Sequence, residues 1–321
     1  MKQALFEARH QPLWDALEQW LDPASKQRRP AQADRFAPQY RQLCQHLALA
    51  RRRGYSPQLV NRLQTLVEQG HSELYRAAPV RWGQLPAQLL AGFPRTVRRH
   101  WRSMLVAALL FWGPLLAALV LLQFRPELAE RVIDAASLAK IERMYDPSAE
   151  RLGRDAGSDW MMFGHYILNN ISIGLRTFAG GLVLGIGAMA IVLFNGVYIG
   201  TVAGHLTANG YGGPFWQFVS GHSALELTAI VIAGGAGLQL GMRVLVPGRL
   251  SRRQALVAGG RDGAMLMLGV VVMLLGAAFV EAFWSARVSV PPMVKYSVGV
   301  LWWLLVLVWL VLGGRGGRNA A

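Results

Sequence analysis

A few polar residues recur through an otherwise apolar stretch of the chain between Phe163 and Pro247. They offer amides, an imidazole and a carboxylate, and they are Asn169, Asn170, Asn195, His222 and Glu226. An isolated carboxylate inside a bilayer costs at least ~2.5 kcal/mol, so a glutamate in such a stretch needs a partner. The spacing of His222 and Glu226 places both side chains on one face of a helix, where they can pair. We therefore expect these residues to form an intramembrane polar cluster, with the His222/Glu226 pair at its centre.

The pair is compatible with three roles at the level of the sequence. It can fix the packing of buried helices, form part of an ion or proton pathway, or contribute to a metal site. His165 and His205 would have to complete a metal site, but their spacing resembles no recognised zinc pattern, so we predict no metal and no other cofactor. Glu281, at the end of an apolar segment, is a further candidate that we expect to face water at the membrane interface.

Two functional classes find little support in the sequence. Neither His-Glu-x-x-His nor Gly-x-Ser-x-Gly occurs, so we predict no catalytic residue and no enzymatic activity. The chain is basic, with 33 Lys and Arg against 18 Asp and Glu. However, the cluster Arg51, Arg52 and Arg53 has no aromatic platform and belongs to no recognisable binding module. We therefore predict no nucleic-acid partner.

The composition, with 53% apolar and 16% charged residues, is typical of a membrane protein. Residues 1–102 contain 17 Lys and Arg against 7 Asp and Glu, so the basic charge is concentrated at the start. No apolar run precedes residue 103, which predicts no secretory signal, and the single Cys44 excludes a disulfide within the chain. We predict a basic cytosolic helical domain (1–85), an amphipathic interfacial helix (86–102), a membrane domain (103–313) with an external loop (123–165), and a cytosolic or flexible tail (314–321).

Several apolar segments approach the ~20 residues that a helix needs to cross a bilayer. The five segments are Met104–Leu122, Phe178–Val202, Phe215–Leu240, Met265–Val280 and Val298–Leu312. Together they predict an all-α, polytopic membrane helical bundle. In the N-terminal domain, apolar periodicity predicts a helix over Ala4–Leu21 and a helical hairpin whose second helix opens at Ser56-Pro57.

The distribution of arginines predicts the orientation of the chain. Arg95, Arg98, Arg99 and Arg102 directly precede the first segment, which places the N-terminus in the cytoplasm and these side chains near anionic lipid headgroups. The arginine-rich stretch Arg243–Arg261 would then lie outside if every segment crossed fully. A re-entrant third segment, broken at Ser220-Gly221 and at Gly234–Gly237, would bring this stretch back inside. Four and five full crossings both remain open.

Small residues and the external loop bear on assembly. Gly181 and Gly185, like Gly196 and Gly200, have the spacing that lets helices approach closely, within one chain or across a dimer. We expect a homodimer. In the loop, apolar residues between Pro126 and Tyr145 predict an amphipathic helix, which packs either on the membrane domain or on a partner protein outside.

Four successive blocks of the sequence resemble the stage II sporulation protein M family. They are Phe163–Asn170, Asn195–Gly200, Gly221–Ile230 and Glu281–Ser285, in this order and spacing. The resemblance implies a multi-pass protein of the bacterial cytoplasmic membrane, and the basic N-terminal helices are similar to the extension of the family's longer members. It further implies a scaffold that couples cytosolic and extracytoplasmic protein partners in envelope or cell-wall processes. The rival hypothesis is a channel or transporter that uses the Asn/His/Glu cluster.

Overall fold

The computed structural model describes residues 2–22, 33–74, 82–154 and 157–315. Within these ranges the chain is helical and contains no strand, apart from an isolated antiparallel bridge between Arg151 and Arg287. The chain divides into two compact units, Met1–Arg81 and Trp82–Ala321. The all-α prediction is confirmed. The predicted tail lies almost wholly outside the described residues.

Within residues 2–22 and 33–74, the N-terminal unit has three helices, α1 (Gln3–Leu21), α2 (Ala33–Arg52) and α3 (Pro57–Leu74). Their apolar stripes meet in a core of their own, in which Phe6, Trp14, Leu43 and Leu63 are fully buried. The backbone NH of Leu59 is directed at the hydroxyl of Ser56, which caps α3 as the sequence predicts. This unit therefore has the interior of an independent helical domain.

Polar contacts fix the register of α1 against α2 and α3. Arg62 donates to Glu18 at 2.8 Å and to Asp15 at 2.9 Å, and its hydrogen bond with Glu18 raises the pKa of the guanidinium. The indole of Trp14 donates to Nδ1 of His46 at 3.2 Å. These side chains connect helices that are distant in sequence, so they select one arrangement of the three apolar stripes.

The entry into the second unit differs from the single interfacial helix predicted over 86–102. It is divided into a 3₁₀ turn (Trp82–Gln84), α4 (Leu85–Ala87), a π turn (Gln88–Gly92) and α5 (Phe93–Arg99). Phe93 is fully buried and lies beside Trp309, with ring centroids 5.1 Å apart. Arg98 donates to the carbonyl of Leu310 and, at 2.6 Å, to that of Gly313. The segment is thus packed into the bundle, because a buried phenyl ring and a capping arginine hold it there.

The arginines before the first membrane helix consequently have different surroundings. Arg98 is occupied by the carbonyls at the end of the last helix, whereas Arg95, Arg99 and Arg102 are exposed. Contact of the three exposed side chains with anionic headgroups stays a prediction.

In its described part, the second unit has five helices that are long and apolar enough to cross a membrane. They are α6 (Trp101–Phe124), α9 (Ile186–Ala208), α11 (Ser223–Leu245), α12 (Arg252–Val280), which continues as a π turn (Glu281–Ser285), and α13 (Pro292–Leu312). The prediction of five membrane-length segments is confirmed, and the protein is a multi-pass membrane protein.

The predicted second segment, Phe178–Val202, is wrong in its bounds. The helix α8 (Asp159–Gly180) ends within it, and α9 begins after a tight turn over residues 181–185. Leu184 and Gly185 have φ values of +52° and +83°, which reverse the chain. The α8 helix therefore runs beside α9 and also packs on α11 and α12, although its first residues were assigned to the external loop.

The re-entrant form of the third segment is also wrong. A short helix, α10 (Gly212–Ser220), precedes α11, but α11 itself is continuous through Gly234–Gly237. Those glycines admit close neighbours: a Cβ on Gly237 would lie 2.9 Å from the carbonyl oxygen of Thr177 on α8. The apparent helix-breaking run is therefore a packing surface.

The arginine-rich stretch between α11 and α12 returns to the end of the bundle where α6 begins. Asp262 on α12 accepts from Arg99 at 3.2 Å and lies 2.9 Å from Nε2 of His100. We call this end the basic end. The additional helix α8 accounts for the return, since it adds one traverse of the bundle before α9. Arg243–Arg261 and Arg95–Arg102 thus share an end without a re-entrant loop.

Glycines bring α9 into backbone contact with α6. A Cβ on Gly196 would lie 2.4 Å from the carbonyl oxygen of Phe111, and one on Gly200 equally close to that of Leu115. Gly181 and Gly185 lie in the turn instead of on a shared helix face. Both glycine pairs therefore contact other parts of the same chain. They no longer support a homodimer, which stays a prediction.

The segment between α6 and α8, predicted to be an external loop, folds onto the membrane unit. It forms a 3₁₀ turn (Pro126–Arg131) and α7 (Ala135–Met144), which Asp134 caps. Leu138 and Tyr145 are buried, and the ring of Tyr145 packs edge-on against Phe215. The chain itself therefore covers the apolar face of α7.

Candidate functional site

A break in the helical path positions His222. The α10 helix ends at Ser220, α11 starts at Ser223, and the break lies against the π turn that follows α12. A Cβ on Gly221 would lie 2.3 Å from Cζ3 of Trp284, so only glycine fits this contact without displacing the indole. His222 is thereby held beside the π turn, while Glu226 follows one helical turn later on α11.

Three ionisable side chains meet at this point. One ligand atom each from His222, Glu226 and Glu281 can be chosen so that all lie within 4.8 Å of one another. Nε2 of His222 is 3.7 Å from Oε2 of Glu226, which is longer than a hydrogen bond. Nδ1 of His222 is 3.0 Å from the hydroxyl of Ser285, which belongs to the same π turn as Glu281.

Two of the three ionisable side chains are buried, since His222 is 3% exposed and Glu281 8% exposed, whereas the side chain of Glu226 is 20% exposed. Oε2 of Glu281 and Nδ2 of the adjacent Asn170 are both buried and form no hydrogen bond of standard length and angle among the described residues, although the amide lies close enough to interact with the carboxylate. The expectation that Glu281 faces water is therefore wrong, because the π turn directs its side chain into the bundle.

The asparagines are placed differently from one another. Asn170 adjoins Glu281. The exposed Asn169 donates to Oδ1 of Asn170 at 3.0 Å. Asn195 donates to the carbonyl of Ile191 in its own helix at 2.8 Å and does not join the cluster. Its amide is satisfied locally, which removes the need for a partner on another helix.

The two further histidines also lie apart from the cluster. His165 is exposed on α8. Nε2 of His205 is 2.7 Å from Glu142, so this histidine connects α9 to α7. The structure therefore brings together His222, Glu226 and Asn170 from the predicted cluster, with Asn169 only at its margin, and it adds Glu281, which the sequence analysis expected in water.

Sequence reasoning missed two residues next to the cluster. Lys295 is fully buried in the first turn of α13, where its ammonium donates to the carbonyl of Ser285 at 2.8 Å. It is the only charged residue between Arg287 and Arg315, and this isolation in an apolar helix was a usable signal. Ser285 carried no such signal, since its role depends on the fold of the π turn.

The cluster faces a cavity of about 750 Å³. Its walls are mainly aromatic and aliphatic, with Trp112, Tyr198, Phe215, Tyr296 and Trp303 among the side chains that line it. His222, Glu226 and Glu281 provide its ionisable part, and Tyr145 places it on the side of the bundle where α7 lies. Such a cavity can hold a cation at the carboxylates or the polar end of an amphiphilic molecule.

Comparisons with known proteins agree with this architecture. The profile of a domain of unknown function (DUF8413) matches residues 4–76, which correspond to the three N-terminal helices. Searches of curated proteins and of solved structures gave no match. The profile described as Stage II sporulation protein M matches residues 104–286, more than half of the chain, and this range contains His222, Glu226, Glu281 and Ser285. The chain belongs to the stage II sporulation protein M family.

Proposed function

We propose that this protein is a non-enzymatic scaffold of the bacterial cytoplasmic membrane. In this proposal the N-terminus is cytoplasmic, and the chain couples cytosolic partners to extracytoplasmic partners in envelope or cell-wall processes. The observation that carries it is the union of two separately packed helical units in one chain. The N-terminal unit has its own core and matches a different profile from the membrane unit. A domain of this kind, tethered to a membrane bundle, is suited to holding a partner at the membrane.

The packing of the membrane unit supports a fixed framework. Helices α6 and α9 touch through backbone atoms at Gly196 and Gly200, and α11 touches the 181–185 turn in the same way at Gly241. Every residue of α11 from Ala229 to Gly241 is buried. Interfaces of this density do not deform continuously, so sliding of one helix past another would require separating them. A scaffold needs no such motion.

A channel or transporter is the second candidate, and a specific observation favours it. The cavity is lined by the buried carboxylate of Glu281 and the part-buried one of Glu226, beside a broken helix at Gly221-His222, and transporters place their sites at discontinuous helices. Against it, the ionisable groups lie at one end of α11, and the remainder of that helix is almost entirely apolar with the single buried amide Gln239. The cluster therefore does not continue along α11 towards the basic end.

Two experiments distinguish these functions. The first compares photo-crosslinked complexes in native membranes for the whole protein and for a variant without residues 1–81. We expect the deletion to remove cytosolic partners and to retain extracytoplasmic ones, because it removes the unit that has the core of α1–α3 and leaves every residue of the membrane unit in place. An identical set of partners in both forms would contradict the scaffold.

The second experiment measures ion and proton flux in proteoliposomes. We expect no flux above empty liposomes for wild type, Glu226→Gln or Glu142→Gln. Glu142 is the matched control, because it also pairs with a histidine but lies outside the cavity cluster. A flux that Glu226→Gln abolishes and Glu142→Gln preserves would establish the transport hypothesis in place of the scaffold.

A further inference from the structure

The three ionisable groups of the cavity come from three places in the fold. His222 lies at the break before α11, Glu226 in the first turn of α11, and Glu281 at the start of the π turn after α12. We propose that His222, Glu226 and Glu281 form a binding site for a divalent transition-metal ion, for which Zn²⁺ is the probe. This inference is independent of the scaffold role.

The spacing of the groups favours metal ligation over direct hydrogen bonding. Nε2 of His222 and Oε2 of Glu226 are separated by 3.7 Å, beyond hydrogen-bond reach. Nitrogen and oxygen ligands at ~2.0–2.2 Å from a tetrahedral zinc ion lie about 3.3–3.6 Å from each other. The three ligand atoms lie within 4.8 Å of one another, which is longer than the separation of zinc ligands. Rotation of the glutamate side chains can close this difference. The three side chains are therefore near the separation at which one ion would join them.

The second partner of His222 orients it for ligation. Nδ1 lies 3.0 Å from the hydroxyl of Ser285, and we assign the proton to this nitrogen so that it donates to the hydroxyl oxygen. Nε2, on the side of Glu226, then carries the free electron pair. Metal-binding histidines characteristically donate their other ring NH to an oxygen in this manner. Ser285 is thus a positioning residue for the proposed ligand.

Charge and desolvation supply an independent reason for a cation. The buried carboxylate of Glu281 lies beside the part-buried carboxylate of Glu226, and Oε2 of Glu281 accepts no hydrogen bond of standard length and angle from the described residues. The nearby ammonium of Lys295 donates to the carbonyl of Ser285 and forms no ion pair in the described part of the chain. A buried, unpaired carboxylate is costly, whereas a bound divalent ion satisfies both glutamates at once.

The ligand set indicates the class of ion. One imidazole nitrogen and two carboxylate oxygens suit zinc and its neighbours, while calcium and magnesium prefer six or more oxygen ligands. Three protein ligands leave one tetrahedral position open. The cluster lines the cavity, so that position is available to water or to an oxygen atom of a cavity ligand.

Equilibrium dialysis of the purified full chain against Zn²⁺, after removal of bound metal with a chelator, tests the proposal. All proteins carry His46→Gln, since the rings of His10 and His46 in the N-terminal unit have centroids 4.0 Å apart and could bind zinc by themselves. We expect one ion per chain in this background, and loss of that ion in Glu226→Gln and Glu281→Gln. Glu142→Gln, which breaks the His205–Glu142 pair, is expected to retain it.

Ser285→Ala provides a second variant that keeps all three ligands. We expect its zinc affinity to fall ~10–100-fold, because the imidazole loses the group that fixes its orientation. Thermal unfolding of each metal-free variant reports whether it is folded. Absence of zinc from the His46→Gln protein, or an unchanged affinity in a folded Glu281→Gln variant, would overturn the proposal. Equal losses in Glu142→Gln and Glu281→Gln would overturn it as well.

Discussion

The backbone contact between α6 and α9 gives a quantitative prediction for Gly200→Ala. The new methyl group would lie 2.4 Å from the carbonyl oxygen of Leu115 and 2.7 Å from its Cα. Ordinary contact between such atoms is ~3.5 Å, so the two helices must separate by about 1 Å along this line. Overpacking of this kind costs ~1–3 kcal/mol. Because both contact atoms of Leu115 are backbone, no change of rotamer can relieve the clash.

Gly260→Ala is the matched control, since Gly260 lies inside α12 and a Cβ there meets nothing within 4 Å. Both substitutions gain a similar helix propensity, roughly 0.5–1 kcal/mol, so this contribution cancels between them. We expect the free energy of unfolding of Gly200→Ala to be about 1–3 kcal/mol below that of Gly260→Ala. Reversible unfolding in mixed micelles, followed by circular dichroism, measures the difference. Equal stability of the two variants would refute the close approach of α6 and α9 and the rigid framework inferred from it.

Three further predictions concern other parts of the chain. Arg98→Ala should destabilise the membrane unit by ~1.5–3 kcal/mol in the same unfolding assay, because two part-buried carbonyls lose a charged donor. Arg99→Ala, at a 68% exposed side chain, should cost at most ~1 kcal/mol, and equal losses of stability would contradict the capping role of Arg98. Burial lowers the pKa of His46, so the N-terminal unit should lose stability as the pH falls from ~6.5, the ordinary pKa of histidine, towards the lowered pKa of the folded state. Hydrogen exchange of α1–α3 measures this loss, which should be smaller in His46→Gln. Arg62→Met should raise the hydrogen-exchange rates of α1 by breaking the contacts to Asp15 and Glu18. The increase should be smaller at high salt, because salt screens partly exposed ion pairs, and an increase that salt does not change would contradict the ionic origin.

The membrane segments were predictable from the sequence where the signal is local. Length and apolarity identify α6, α11, α12 and α13, because a bilayer imposes both on any spanning helix. The same criteria failed over Phe178–Val202, because hydropathy does not distinguish a glycine-rich apolar helix from a glycine-rich apolar turn. They also missed α8, whose amides and Arg176 reduce its apolar character although it packs among the spans.

The candidate site was predictable only in part. The His222/Glu226 pair follows from spacing along one helix, and the structure places the two side chains together. The burial of Glu281 depends on a π turn and on the approach of α8, neither of which has a local signature. Asn195 shows the converse, since an amide in an apolar helix indicates a partner on another helix, yet the carbonyl of Ile191 satisfies it. Tertiary contacts thus decided which polar residues converged.

The attachment of Arg98 to the end of α13 has a consequence for how the protein is made. Phe93 and Arg98, which precede the first membrane helix, contact Trp309, Leu310 and Gly313, which the ribosome synthesises more than two hundred residues later. Until α13 has been synthesised, the newly inserted chain exposes this aromatic ring and a guanidinium that lacks its carbonyl partners. Nascent chains stopped before Leu310 should therefore be preferred substrates of membrane quality-control proteases.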